Sequence, residues 1–99
     1  MKERGAGDPT LLVLVSLAGG TKHGHAILLD VASFSGVRMG PGTLYGAIAR
    51  LEEDGLIEAL PIEGRRRPYR LSSSGRDLLQ DRLASLGGTV RTGLARVAP

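Results

Sequence analysis

Proline and glycine cut this chain into short segments, and the cuts fall where helices start and stop. Asp8-Pro9 and Gly40-Pro41 each place proline at a first helical position, where its missing N–H is no loss; Gly19-Gly20, Gly36 and Gly55 close apolar stretches. Three short helices are therefore expected. The first is N-capped by Asp8 and holds the Leu11–Leu17 run, which suits a buried helix although periodicity alone also admits a strand. The second runs from about His23 to Ser35, with Ile27, Leu28, Val31 and Phe34 at spacings of three and four, and Gly36 as its C-terminal turn. The third carries Leu44, Ile48 and Leu51 on one face. Gly42, Gly46, Ala49 and Glu53 fall opposite, flanked by Thr43, Tyr45 and Arg50, so the outer face is small in its first two turns.

The pattern then changes. Leu56–Ile62 and Pro68–Leu71 read as two strands around the turn Glu63-Gly64-Arg65-Arg66-Arg67, a hairpin with a basic tip. Ser72 caps a last helix carrying Leu79, Leu83, Leu86, Val90, Leu94 and Val97, and the sequence leaves open whether it continues through Gly87-Gly88, kinks or ends there. The expected fold is mostly α with a small β-hairpin, a winged helix-turn-helix plus a C-terminal dimerisation helix. Residues 1–7 are expected to be a flexible tail, 8–72 the winged-helix DNA-binding domain and 73–99 the dimerisation helix, with Leu79, Leu83, Leu86, Val90 and Leu94 at the interface.

Several function classes drop out. With 99 residues the chain is one small domain, and Leu11–Ala18 is too short to cross a bilayer. No cleavage-like site follows Lys2 and Arg4, so a secretion signal is not expected. The absence of cysteine removes disulfides, thiolate chemistry and Cys-based zinc sites and points to the cytoplasm. His23 and His25, two apart on a helix, diverge by about 200 degrees and read as structural rather than as metal ligands. Ser72, Ser73 and Ser74 have a simpler use as a helix cap than as nucleophiles, and Gly36–Gly42 lacks the lysine and spacing of a phosphate loop. Neither an enzyme nor a cofactor or metal is expected.

Charge points to the partner. The net charge is +3, but Met1–Asp54 balances at −1 and Gly55–Pro99 at +4, the excess sitting mainly in Arg65, Arg66, Arg67 and Arg70. A basic patch on a near-neutral domain fits nucleic acid first and an anionic membrane second, against the plain alternative of a solvated turn. Gly42, Gly46 and Ala49 would let the third helix approach the floor of a major groove, while Thr43, Tyr45 and Arg50 reach phosphates or base edges. Packing against another helix is the alternative for the two glycines, half-burial for Tyr45, and pairing with Asp54 for Arg50.

The series His23-Gly24-His25, Pro41-Gly42-Thr43-Leu44-Tyr45, Arg50-Leu51-Glu52, Gly55-Leu56-Ile57, Arg67-Pro68-Tyr69-Arg70-Leu71 and Gly75 resembles the PadR family of bacterial transcriptional regulators over roughly Leu11 to Leu79. It departs from that family at His25, where Tyr is usual, at Gly46, where Pro is frequent, and at Leu60, near a common wing Trp. The resemblance implies a repressor that binds double-stranded DNA as a homodimer. The expected contacts are Gly42, Thr43, Tyr45, Gly46, Ala49, Arg50, Arg65, Arg66 and Arg67, on an inverted-repeat operator. Nothing in the sequence identifies a small-molecule effector. A winged-helix protein-interaction module without DNA is the competing class.

Overall fold

The computed structural model describes residues 7–99. The tail expected at 1–7 therefore lies, Gly7 apart, outside the described residues. The elements run α1 (Pro9–Ala18), β1 (Lys22–His23), α2 (Gly24–Ser35), α3 (Pro41–Glu53), β2 (Ile57–Ala59), β3 (Pro68–Leu71) and α4 (Ser73–Val97). The expected fold class holds, with four helices and a small antiparallel sheet in winged-helix order.

α1 forms the middle of the core because it is apolar nearly all round. Leu11, Leu12, Val13, Leu14 and Leu17 are all buried, and they meet Ile27 and Val31 of α2 and Leu44, Ala47, Ile48 and Leu51 of α3. Truncating a fully buried side chain such as Leu44 or Ile48 to alanine would cost about 2–5 kcal/mol. Phe34, expected on the inner face of α2, instead stands half exposed on the last turn. Ser16 of α1 donates to the Asp30 carboxylate of α2 at 2.7 Å, and Lys22 of β1 donates to the Ser16 carbonyl, so a polar knot ties the first three elements together.

The helix ends follow local chemistry. Gly36, at φ +75°, closes α2 with its amide on the Ala32 carbonyl. Ser72 accepts from the Gly75 amide at 3.0 Å and donates to the Gly55 carbonyl at 2.7 Å, capping α4 and fastening it to the end of α3. Asp8 holds the N-cap position of α1, its carbonyl accepting from the Leu12 amide at 3.0 Å, but its side chain does not cap the helix. Its carboxylate accepts instead from the Thr10 hydroxyl at 2.6 Å and pairs with Arg82 of α4 at 3.5 Å.

Two expectations need correction, and one open point is resolved. The sheet has three strands, ordered β1-β3-β2, where a two-stranded hairpin was expected. At two residues β1 is too short for any alternation to register; it is placed by pairing Lys22 with Tyr69 and His23 with Pro68. β2 spans only Ile57–Ala59 rather than Leu56–Ile62, because at the next pair the Leu60 amide reaches the Pro68 carbonyl but Pro68 has no N–H to return the bond, and the Leu60 carbonyl takes the Arg67 guanidinium instead. The course of the last helix, left open by the sequence, is continuous: α4 runs unbroken through Gly87 and Gly88 for 25 residues. The Arg91 side chain folds back over both glycines, filling the space their missing side chains leave.

Burial along α4 is uneven. Leu79, placed at the centre of an interface by its spacing, is 4% exposed and belongs to the core of its own domain, and Leu86 is partly covered. Leu83 is a little under half exposed, and Val90 and Leu94 are 56% and 65% exposed. The outer half of the helix projects from the body, and the described residues together extend 55 × 27 × 26 Å.

Candidate nucleic-acid interface

α3 presents the face its sequence promised. Leu44, Ala47, Ile48 and Leu51 point inward, and Gly42, Thr43, Tyr45, Gly46, Ala49 and Arg50 are exposed. A side chain added at Gly42 or Gly46 would meet open space, so neither glycine packs against another helix. Arg50 pairs with no carboxylate among the described residues; the alternative partner Asp54 instead ends the helix, its amide on the Arg50 carbonyl. Gly40 caps α3 without a side chain and Pro41 occupies the first position, which leaves the Gly42 and Thr43 amides as orphan donors beside an exposed surface.

The wing is tighter than a plain hairpin. Glu63 and Arg66 exchange two backbone hydrogen bonds of 2.8 and 3.0 Å across the tip, and Gly64 takes the left-handed conformation at φ +62° that this turn requires. The three arginines consequently differ. Arg65 stands at the tip with no hydrogen bond or ion pair among the described residues. The Nη1 of Arg66 lies 3.1 Å from the Nε2 of His23, and the Nη1 of Arg67 donates to the Leu60 carbonyl at 2.7 Å, bracing the wing's own arms. Arg70, counted in the basic excess, is paired across the sheet with Glu58 at 2.9 Å, so the effective patch is Arg65–Arg67.

α3 and the wing meet over one cleft of about 210 Å³. Tyr45 forms its α3 side and the three arginines its wing side, while His23, Gly24 and His25 supply the start of α2 and Tyr69 lines it from β3. Tyr45 is 51% exposed with its ring end lying over Gly24, where a β-carbon would collide with the hydroxyl. It is thus both a packing residue and a surface donor. Tyr69 is 8% exposed. Burial pushes its hydroxyl above the ordinary tyrosine value of 10.0, the charge of Glu52 and the neighbouring Tyr45 add to the rise, and Arg67 opposes it, so the group is a proton donor at neutral pH.

Sequence reading brought out the α3 face and the arginines but missed His23, Gly24 and Tyr69 as parts of this surface. His23 does stand at a helix start, its Nδ1 accepting from the Ala26 amide at 3.3 Å, and that structural role hid the other ring nitrogen. Among the described residues no group of three metal-binding side chains comes together, and no helix is long and apolar enough to cross a membrane.

Residues 13–81 match the profile of the Transcriptional regulator PadR-like family. A Mycobacterium tuberculosis protein named transcriptional regulator Rv3488 is 44% identical over 78 residues, 75% of this chain and 72% of that protein. An uncharacterised 37.1 kDa protein of a Streptomyces fradiae transposon is 46% identical over 86 residues, 84% of this chain but 25% of that protein, so the chain spans a quarter of its length. A solved PadR family transcription regulator from Clostridium difficile has a TM-score of 0.82 at 22% identity, covering 93% of this chain and 100% of that one, a likeness of fold.

Proposed function

The chain belongs to the PadR-like family of transcriptional regulators, and from that premise we propose that it binds operator DNA as a homodimer and acts as a repressor. Its work is binding rather than turnover. The observation that carries the reading is the outer face of α3: a helix with no side chain at Gly42 and Gly46, packed against nothing there, beside three exposed arginines on a wing. An α-helix fills a major groove only if its backbone approaches the base edges, and a bare face permits that approach while Thr43, Tyr45, Ala49 and Arg50 supply contacts around it. The wing arginines suit phosphates or an adjacent minor groove.

The homodimer rests on α4. On an ideal helix Leu83, Leu86, Val90, Leu94 and Val97 fall within about 80 degrees of arc, and the stripe is covered by α1 only at its inner end. A second copy crossing the outer half would cover it, with Leu83, Val90 and Leu94 at the centre. Such a two-fold pair presents two α3 helices to one face of DNA about 34–36 Å apart, or a multiple of that, so the operator is an inverted repeat. Occupying such a site is enough to block transcription from it, and a DNA partner places the protein in the cytoplasm. Selection of bound duplexes from a random-sequence library tests the proposal. The expected product is an inverted repeat with half-sites one turn, or a whole number of turns, apart; enrichment of an asymmetric site, or of none, contradicts it.

A further inference from the structure

The two contacts made by His23 are incompatible in any one neutral form of the ring. A neutral imidazole carries one N–H. If Nδ1 accepts from the Ala26 amide, the proton is on Nε2, and Nε2–H then faces the Nη1 of Arg66, another donor, at 3.1 Å. Close by, the Tyr69 residue is more than nine-tenths buried, and its hydroxyl, with no hydrogen-bond partner among the described residues, keeps contact with the surface of the same cleft. Three donors therefore line one small cleft that no carboxylate enters, its only side-chain acceptors being neutral hydroxyl and imidazole groups. An anion with several oxygens satisfies all three at once, and the cleft volume of about 210 Å³ admits a phosphate group.

The cleft's position says where that phosphate comes from. It lies between Tyr45 on α3 and the arginines of the wing, and when a helix and a wing occupy neighbouring grooves a single sugar-phosphate strand runs between them. Resting on the DNA reading above, we propose that this cleft holds one phosphodiester of the strand that separates the two grooves, bonded by His23, Arg66 and Tyr69. Its oxygens accept from His23 Nε2–H and the Arg66 guanidinium on one side and from the Tyr69 hydroxyl on the other, which turns the donor-to-donor contact into a shared acceptor. Arg67, already held by the Leu60 carbonyl, keeps the wing in place for this.

Tyr69→Phe is the clean test, because it removes one oxygen that bonds nothing in the free protein. Its melting temperature should match wild type, while affinity for a random-sequence duplex falls about tenfold or more, the worth of a hydrogen bond to a charged group. The salt dependence should keep its slope, since no charge is lost, whereas Arg66→Gln should lower the slope by about 0.9. His23→Asn keeps a good N-cap but lacks Nε2–H, and should lose affinity in the same way even if Tyr69→Phe melts early. Wild-type duplex affinity in both Tyr69→Phe and His23→Asn overturns the cleft assignment and leaves the α3 reading standing. No duplex binding by wild type overturns both. Titration with inorganic phosphate separates the sources: binding tight enough to displace duplex would assign the cleft to a small phosphorylated ligand and overturn the strand assignment, and displacement only at high ionic strength supports it.

Discussion

The outer face of α3 and the outer half of α4 are both exposed helix surface, but they are exposed in opposite ways. On α3 the bulk has been removed: Gly42 and Gly46 leave bare backbone, and what stands around them is polar or small. On α4 the bulk has been kept, with Val90 and Leu94 more than half exposed on the same stripe that Leu79 buries further in. A bare polar face gains nothing by hiding and suits close contact with a hydrated, charged surface. A stripe of aliphatic side chains loses free energy to water, about 25 cal/mol for each Å² left uncovered, and suits a cover of like kind. Exposure alone therefore does not identify an interface; the side chains left on it distinguish a DNA face from a subunit face.

Adding bulk to the α3 face should have the largest effect. Gly46→Leu puts a side chain where a β-carbon meets open space, so the melting temperature should hold or rise, leucine being the better helix former by about 0.5–1 kcal/mol. Affinity for a selected site should fall about a thousandfold, to the level of non-specific binding, in an anisotropy titration. Normal binding by the folded variant would erase the distinction between the two faces.

Charging the α4 stripe should come next. Val90→Asp with Leu94→Asp alters side chains that contribute little to the protomer's own core, so the fold should survive while sedimentation shifts to the monomer and site affinity drops about a hundredfold as the second half-site is lost. A double variant that still sediments as a dimer would return the stripe to some other cover.

Gly75 sharpens the contrast from inside the fold. Unlike Gly46, it lies against the Leu56 carbonyl and the Leu71 side chain, with no room for a β-carbon. Gly75→Ala should lower stability by about 1–3 kcal/mol in denaturant melts; a neutral outcome would mean that the start of α4 shifts freely against the sheet.

Arg65, Arg66 and Arg67 changed together to alanine should flatten the salt dependence by up to about 0.9 in slope per lost phosphate contact, while the preferred sequence changes least of all. An unchanged slope would remove the wing from the interface.

How much of this was legible in the sequence follows from the range of each interaction. Pro41, Gly36 and Ser72 act within a turn or two of themselves, and the helix limits they imply match the structure to within a residue or so. The α3 face was legible for the same reason, since a wheel needs only the helix. β1 was not, because two residues carry no period and their partner, β3, lies more than forty positions away. The same distance hid the cleft: His23, Tyr45 and Tyr69 come from three elements, and only the folded sheet shows that His23 has a second ring nitrogen facing Arg66. Leu79 misled because a continuous stripe does not reveal where the domain's own cover ends and exposure begins.

The central claim is that the α3 and wing surface binds the DNA backbone while reading a groove. The most direct measurement is wild-type affinity for a random-sequence duplex as a function of salt concentration. The account predicts a linear fall of log affinity with log salt, with a slope of about −0.9 for each phosphate engaged, hence several units for a dimer whose wings and α3 starts all take part. Absence of binding at low salt, or an affinity that salt does not change, would contradict it.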